Sequence, residues 1–334
     1  METQNIDVKN VIVIGASAGG IEAVTKLLNS LDKNMDAAIF IVVHLAPASN
    51  SNIIIKLLEK NSTFKCRVPV DHEKIENQTV YLAPADRHIL LEKGIIRITK
   101  GATENHYRPS IDVLFRSAAT AYTGCVTGII LTGMLDDGTS GMSAIKRSGG
   151  KCIVQHPDEA PFDDMPNSVL QNIEVDFSVP IAEMNVVLTK ILSEATCEEH
   201  AIPEEIMLEA KIAKRLTSNM EDIAKLGNFS PLTCPDCGGA MVQISENDTS
   251  RYRCYTGHTF TEKFLESEQL KRIEESVWVS IRMMEERKNL LLNMNLNSKH
   301  TLDNERRDER IEAMQLHIDT LRSTLLAMDN RNIT

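Results

Sequence analysis

Between residues 8 and 195, runs of consecutive apolar, largely β-branched residues alternate with amphipathic segments, and this alternation limits the fold more than any other feature of the chain. VKNVIVIG, AAIFIVVHL, CVTGIILTG and GKCIVQ are apolar at position after position, as strands covered on both faces should be. IEAVTKLLNSL carries Ile21, Val24, Leu27 and Leu28 at helical spacing, and NIIIKLLEK, SIDVLFRSAATAY and GMSAIKRSG also read as helices. TVYLAPAD follows the second helix, and HILLEKGIIRITK, with Gly94 at its centre, reads as a hairpin. Strand–helix repetition predicts an α/β fold: a doubly wound, mostly parallel sheet with helices on both faces.

Beyond residue 196 the texture changes. Residues 196–230 are charged and helical, with Pro203 near the start and Gly227-Asn228 near the end, and read as a linker. Residues 231–262 form a small cysteine-bearing segment. Residues 263–334 hold two long helices separated by a polar break, NLNSKHTLDN. In the second, Ile311, Met314, Ile318, Leu321, Leu325 and Met328 step alternately by three and four, a heptad seam. A helical hairpin burying its own stripe is favoured over a dimerising coiled coil.

The 334 residues carry a net charge of −11, spread evenly along the chain, so neither half is built to bind phosphate backbones or anionic lipid. No nucleic-acid partner is expected. METQNIDVKN lacks the basic-then-apolar pattern of a secretory signal, and the longest apolar run, AAIFIVV (37–43), is too short to span a bilayer. Of the seven cysteines, Cys66, Cys125, Cys152 and Cys197 are scattered at no suggestive spacing, which reads as reduced thiols in a cytoplasm. Cys125 and Cys152 fall in strand patterns and read as core.

The first strand runs into a glycine-rich turn, VIVIGASAGGIEAV (11–24). A dinucleotide-binding turn needs G-x-G-x-x-G and an acidic residue after the second strand. Here the middle position is Ser17 and the second strand ends in VVHLAP, with His44 where the acid belongs. The alternative, G-x-S-x-G, fits Gly15-Ala16-Ser17-Ala18-Gly19 and sets a serine at the tip of a strand-to-helix turn. A serine nucleophile needs a base, and the base an orienting acid. In an open α/β sheet the ligand crevice lies beyond the carboxyl ends of the strands. His44 ends the second strand, and TGMLDDG puts Asp136 and Asp137 just past the strand in CVTGIIL. The order Ser…His…Asp differs from that of α/β-hydrolases, so a lipase-type fold is not expected.

VIGASAGGIEA, VVHLAP, VYLAPADRHILL, HYRPSIDVLFRSAA and GIILTGMLDDGTSGM together resemble the catalytic domain of the CheB family, the protein-glutamate methylesterases of bacterial chemotaxis, over residues 8–192. The resemblance makes residues 1–195 a CheB-type methylesterase domain. It implies Ser17 as nucleophile, His44 as base and, from the G-M-x-x-D-G pattern, Asp137 rather than Asp136 as the acid, with backbone amides near Ala18 and Met134 binding the oxyanion. His88 and His106, in family-like motifs, read as structural or rim residues, Asp136 as a loop or cap residue, and Arg108 as a candidate for fixing an acidic substrate. Two departures stand out. HLAPASNSN lacks the family's usual G-F-T after the histidine, so the substrate-facing loop should differ. The first catalytic strand also starts by residue 8, which leaves no place ahead of it for the receiver domain typical of the family. Control by phosphorylation in cis is therefore not expected, and a regulator acting in trans is.

A second constellation, CPDCGG and YRCYTGHTF, gives C-x2-C-x16-C-x3-H from Cys234, Cys237, Cys254 and His258. Ligands of this softness and spacing suit tetrahedral, structural zinc, which would supply folding free energy to a segment too small for its own core. No cofactor is expected for catalysis. Zinc ribbons often touch nucleic acid, but the acidic SENDTS nearby favours a protein partner.

The expectation is a cytoplasmic esterase that removes methyl groups from γ-glutamyl esters of a chemoreceptor or another methyl-esterified signalling protein, with glutamine deamidation as an extension implied by the resemblance. The rival is a non-catalytic adaptor that binds methylated receptor helices and recruits a partner through residues 196–334. A full Ser/His/Asp set argues against it, since a binding module has no need of all three.

Overall fold

The computed structural model describes residues 8–194, 197, 200–215, 219–246, 249–297 and 301–329. They form two compact units, residues 1–262 and 263–334. In the first, the chain runs β1 (Val11–Ala16), α1 (Gly20–Ser30), β2 (Ala38–Val43), α2 (Ser51–Lys60), β3 (Lys65–Arg67), β4 (Glu73–Lys74), β5 (Thr79–Leu82), β6 (His88–Glu92) and β7 (Ile95–Thr99). It continues through α3 (Ile111–Tyr122), β8 (Val126–Ile130), α4 (Thr139–Arg147), β9 (Lys151–Gln155), α5 (Asp164–Asn172), β10 (Phe177–Val179) and α6 (Ile181–Glu194).

Seven strands make one sheet in the order β10-β9-β8-β1-β2-β5-β3, and every neighbouring pair is parallel. Each strand side chain points to the face opposite its neighbour's, and the core divides accordingly. Val11, Val13, Phe40 and Val42 pack with Phe115 of α3, Ile145 of α4 and Val169 of α5. Ile12, Ile14, Ile39 and Ile41 pack with Leu27 of α1, Leu58 of α2 and Leu188 of α6. This is the doubly wound architecture read from the sequence, and HILLEKGIIRITK forms the expected hairpin, β6–β7, with Gly94 at φ 74°. The short strands β3 and β10, at the two sheet edges, were not anticipated. Three residues are too few to show a period.

From β1 the chain builds outward to β2 and β5 on one side, then crosses to β8, β9 and β10 on the other. The direction of winding therefore reverses at the β1/β8 boundary, and the loops after β1, β2 and β8 meet at the crevice such a reversal opens.

The remainder of this unit contains α7 (Glu204–Arg215), α8 (Met220–Leu226) and a four-stranded antiparallel sheet. Its strands, in order, are β11 (Asn228–Thr233), β12 (Ala240–Glu246), β13 (Thr249–Cys254) and β14 (Thr259–Thr261). Val242 and Ile244 bury against Leu208, Ile212, Ile223 and Leu226 of the two helices. Residues 247–248 of SENDTS, and 195–196, 198–199 and 216–218 of the linker, lie outside the described residues. In the second unit α9 (Glu262–Asn297) and α10 (Thr301–Asp329) pair through Ile281, Ile318 and Leu325, with Met314 and Leu321 of the heptad seam packed beside them. The polar break falls partly on residues 298–300, outside the described residues.

Two expectations are corrected. Cys125 is not in a core strand but closes the 3-10 turn Thr123–Cys125 just before β8, and Cys125 and Cys197 are not reduced thiols but form a disulfide. A separation of 72 residues carries no pairing signal, and only the fold brings the two together. Cys152 is a buried core thiol, as expected, and Cys66 is also free.

The stacked rings of Phe40 and Tyr81, 4.9 Å between centroids, sit at the middle of the sheet with no solvent exposure. Truncation of Phe40 to alanine is expected to lower stability by about 3–5 kcal/mol, measured by urea unfolding of the full chain.

Candidate active site

The β1–α1 turn is tight because its residues are small. Gly19 has φ 72°, a left-handed conformation that a larger residue resists. A side chain at Gly15 would strike Ile111, whose Cγ2 lies 2.5 Å from the point where a Cβ would stand. The turn is tied to the end of β8: the Ser17 amide donates to the Thr132 carbonyl (3.0 Å), and the Thr132 hydroxyl donates to the Ala18 carbonyl (3.1 Å). With the Ser17 amide so committed, the next amides matter. No acceptor among the described residues takes the Ala18 or the Met134 amide.

His44 follows β2 directly, its amide held by the Ala16 carbonyl at 3.2 Å. Its Nδ1 lies 3.0 Å from the Ser17 hydroxyl and its Nε2 2.8 Å from Asp137 Oδ2. Since Asp137 can only accept when ionised, the proton sits on Nε2 and Nδ1 is left as acceptor for Ser17. The ring nitrogens thus serve in the reverse order from the serine-protease template, in which Nε2 faces the serine.

Asp137 is fully buried. Ser110 Oγ donates to its Oδ1 (2.9 Å), and the Ile111 and Asp112 amides at the start of α3 donate to Oδ2 (2.7 Å) and Oδ1 (3.4 Å). Burial works against the charge. The His44 hydrogen bond, the Ile111 amide and Ser110 outweigh it, and the Asp137 carboxyl is held below its ordinary pKa. Asp136 lies in the same loop, where its carbonyl accepts the Thr139 amide.

The structure brings together Ser17, His44 and Asp137, with Ala18 next in the turn and Met134 adjoining Gly133, where a Cβ would stand 2.8 Å from that of Ser17, and separates the rest. His88 is buried between the Ala102 carbonyl (2.9 Å) and the Ser110 amide (3.2 Å), a structural position, and burial lowers its pKa. His106 is exposed. Arg108 binds Asp86 through Nε and Nη2 and the Gly101 carbonyl through Nη1, so its guanidinium is already engaged.

Sequence reasoning missed three residues. Tyr107 stacks on the His44 ring, 3.4 Å between centroids and 6° from parallel. Burial, then the charges of Asp137 and Asp136, push its phenol up. Asn105 donates through Nδ2 to both Asp112 Oδ2 (3.1 Å) and Asp137 Oδ1 (3.3 Å). Both sit on a two-residue turn in which Asn105 and His106 have φ 48° and 72°, while Glu104 and Tyr107 exchange backbone hydrogen bonds. The E-N-H-Y run carried that signal, since Asn and His are enriched in left-handed conformations. Asp112 accepts the Gly138 and Gly141 amides at the start of α4 through Oδ1, 3.0 and 2.6 Å. Read alone, it was one more residue of a helix pattern.

Cys234, Cys237, Cys254 and His258 converge, their ligand atoms all within 4.8 Å of one another. Cys254 Sγ and His258 Nδ1 are 3.5 Å apart, and Cys234 to His258 and Cys237 to Cys254 are each 3.7 Å. Those spacings match the edges of a tetrahedron with bonds of about 2.0–2.3 Å, the size zinc takes with nitrogen and thiolate ligands. Two turns present the ligands, closed by Gly238 N to Cys234 O (2.8 Å) and Gly257 N to Cys254 O (3.0 Å). The residues fit a structural zinc ion.

Comparison with known proteins identifies the family. The CheB methylesterase family model matches residues 12–188. A Methanosarcina mazei protein-glutamate methylesterase/protein-glutamine glutaminase is 32% identical over 197 residues, 57% of this chain and 53% of that one. A Leptospira interrogans relative whose name gives the same two activities is 37% identical over 174 residues, 52% of this chain and 90% of that one. The crystal structure of the Thermotoga maritima CheB methylesterase catalytic domain superposes with a TM-score of 0.52 at 28% identity, covering 55% of this chain and 98% of that one.

Burial and the neighbouring Asp137 charge push the Asp112 carboxyl up to about 8. A group whose pKa rises on folding lends stability below its unfolded value, about 3.9, and loses it as pH climbs through the folded one. The chain is therefore expected to weaken between about pH 4 and about pH 8 on this account. Asp112→Asn, which keeps an acceptor for Gly138 and Gly141, should flatten that limb in urea melts across the range.

Proposed function

The chain belongs to the CheB methylesterase family, and from that premise we propose that it hydrolyses γ-glutamyl methyl esters on a signalling protein, a methylated chemoreceptor foremost, through Ser17, His44 and Asp137. One observation carries the reading: the unbroken hydrogen-bond chain Ser17 Oγ–His44–Asp137, at 3.0 and 2.8 Å, in the crevice where the sheet reverses its winding.

In this mechanism the Ser17 hydroxyl attacks the ester carbonyl as its proton passes to His44 Nδ1. Asp137, kept ionised by α3, stabilises the imidazolium. The oxyanion rests on the Ala18 and Met134 amides, which have the freedom to receive it. His44 then protonates the departing methoxide, and methanol leaves an acyl group on Ser17. Water enters through the same base, frees the glutamate and restores the serine. An amide in place of the ester would release ammonia by the same steps, in line with the second activity in the relatives' names. No step calls for a cofactor.

Zinc at Cys234, Cys237, Cys254 and His258 is proposed as a structural ion. The reading keeps a cytoplasmic setting. The free thiols Cys66 and Cys152 are in keeping with it, whereas the Cys125–Cys197 disulfide is not; no described helix is long and apolar enough to cross a membrane. A regulator acting in trans belongs to the same proposal.

The test is methanol release from methylated receptor cytoplasmic fragments by the wild type and by Ser17→Ala. The variant is expected to lose at least about 10³-fold in rate while remaining folded. Undiminished release by folded Ser17→Ala would sink the mechanism.

A further inference from the structure

The turn that carries Asn105 and Tyr107 is anchored from the side away from His44 by the cysteine-bearing sheet. The Asn105 amide donates to the Thr259 carbonyl at 2.8 Å, and Glu104 pairs with Thr259 in a parallel bridge. Arg253 Nη1 reaches Glu104 Oε1 (3.1 Å), Glu209 Oε1 (3.4 Å) and Thr259 Oγ1 (3.1 Å). The Thr103 hydroxyl donates to Asp236 Oδ2 at 3.3 Å. Arg253 and Thr259 are almost wholly buried.

The places of these anchors in the chain are what matter. Asp236 lies between Cys234 and Cys237, Arg253 immediately precedes Cys254, and Thr259 immediately follows His258. Every anchor is thus within two bonded residues of a metal ligand, and the geometry of the four ligands sets where the anchors stand. The sheet packs on α7 and α8 through Val242 and Ile244, and Met241 and Phe260 are also buried, but a segment this small draws much of its order from its bound metal.

We infer that metal binding at Cys234, Cys237, Cys254 and His258 sets the competence of the esterase site, by holding residues 104–107 so that Tyr107 covers His44 and Asn105 steadies Asp137. Tyr107 and Asn105 are positioning residues: they act through the histidine and the aspartate. An open ligand set releases Thr259 and Arg253, and with them the turn. The ribbon then serves as an integral part of the active site's support, and the metal as a requirement for activity although it takes no part in the chemistry. This rests on Ser17 being the nucleophile.

The test uses the full chain and a fluorophosphonate, which labels activated serines whatever the natural substrate. Metal content is measured by mass spectrometry and the labelling rate is followed on the Ser17 peptide. Wild type stripped of metal, and Cys237→Ser, which alters the one exposed cysteine ligand, are expected to label on the order of ten- to a hundredfold more slowly. Zinc should restore the stripped wild type. Tyr107→Ala should show the same fall with its metal content unchanged. Equal labelling with and without metal would overturn the inference and leave the nucleophile standing, as would wild-type labelling by Tyr107→Ala. If stripping the metal also unfolds the chain, folded Cys237→Ser decides: slow labelling supports the inference, and wild-type labelling overturns it. Absence of Ser17 labelling in the loaded wild type would remove the nucleophile itself, and this inference with it.

Discussion

Two buried carboxyl groups, each closing the other's helix, hold the site together. Asp137, just ahead of α4, receives the first amides of α3 and the Ser110 hydroxyl. Asp112, in the first turn of α3, receives the Gly138 and Gly141 amides at the start of α4. Ser110 and Gly138 stand at the two N-cap positions, and neither provides a side-chain cap for its own helix. Each helix thus depends on a carboxyl group from the other's neighbourhood to satisfy amides that would otherwise be stranded. The same bonds keep Asp137 ionised beneath His44, so the acid proposed to orient the base is also a structural tie.

A second buried network joins the catalytic sheet to the cysteine-bearing one. Arg116 of α3 pairs with Glu104, Arg253 bridges Glu104 and Glu209, and Arg251 binds Glu209 through two hydrogen bonds of 3.1 and 3.0 Å. Burial opposes the charge on both glutamates, but the guanidinium groups prevail and hold each carboxyl below its ordinary range. Buried ion pairs seldom add much net stability, because desolvation offsets most of the attraction. Their effect here is one of register. Glu104 has one position that meets both Arg116 and Arg253, and that position begins the turn carrying Asn105 and Tyr107.

How much of this could be read in advance follows from the range of each interaction. The parallel sheet was legible because burial on both faces writes itself into consecutive positions such as Val11–Ile14 and Ala38–Val43. Ser17, His44 and Asp137 were legible because strand topology delivers strand ends to a common edge, and because the five quoted motifs resemble one family. The C-x2-C and C-x3-H pairs were legible because metal ligands within one turn have a fixed spacing. Tyr107 and Asp112 were not, since their roles depend on partners 63 and 26 residues away. The same holds for the Cys125–Cys197 disulfide.

The sequence by itself determined the fold class, the strand-end placement of a serine, a histidine and an aspartate, and a four-ligand metal motif. These are consequences of local periodicity and of short spacings along one chain. Only the tertiary structure decided which histidine nitrogen meets the serine, which ring covers His44, what keeps Asp137 charged, and that the turns bearing Cys234, Cys237, Cys254 and His258 abut the loop over Ser17, His44 and Asp137. Each of these is a contact between segments whose separation in sequence carries no information about their distance in space.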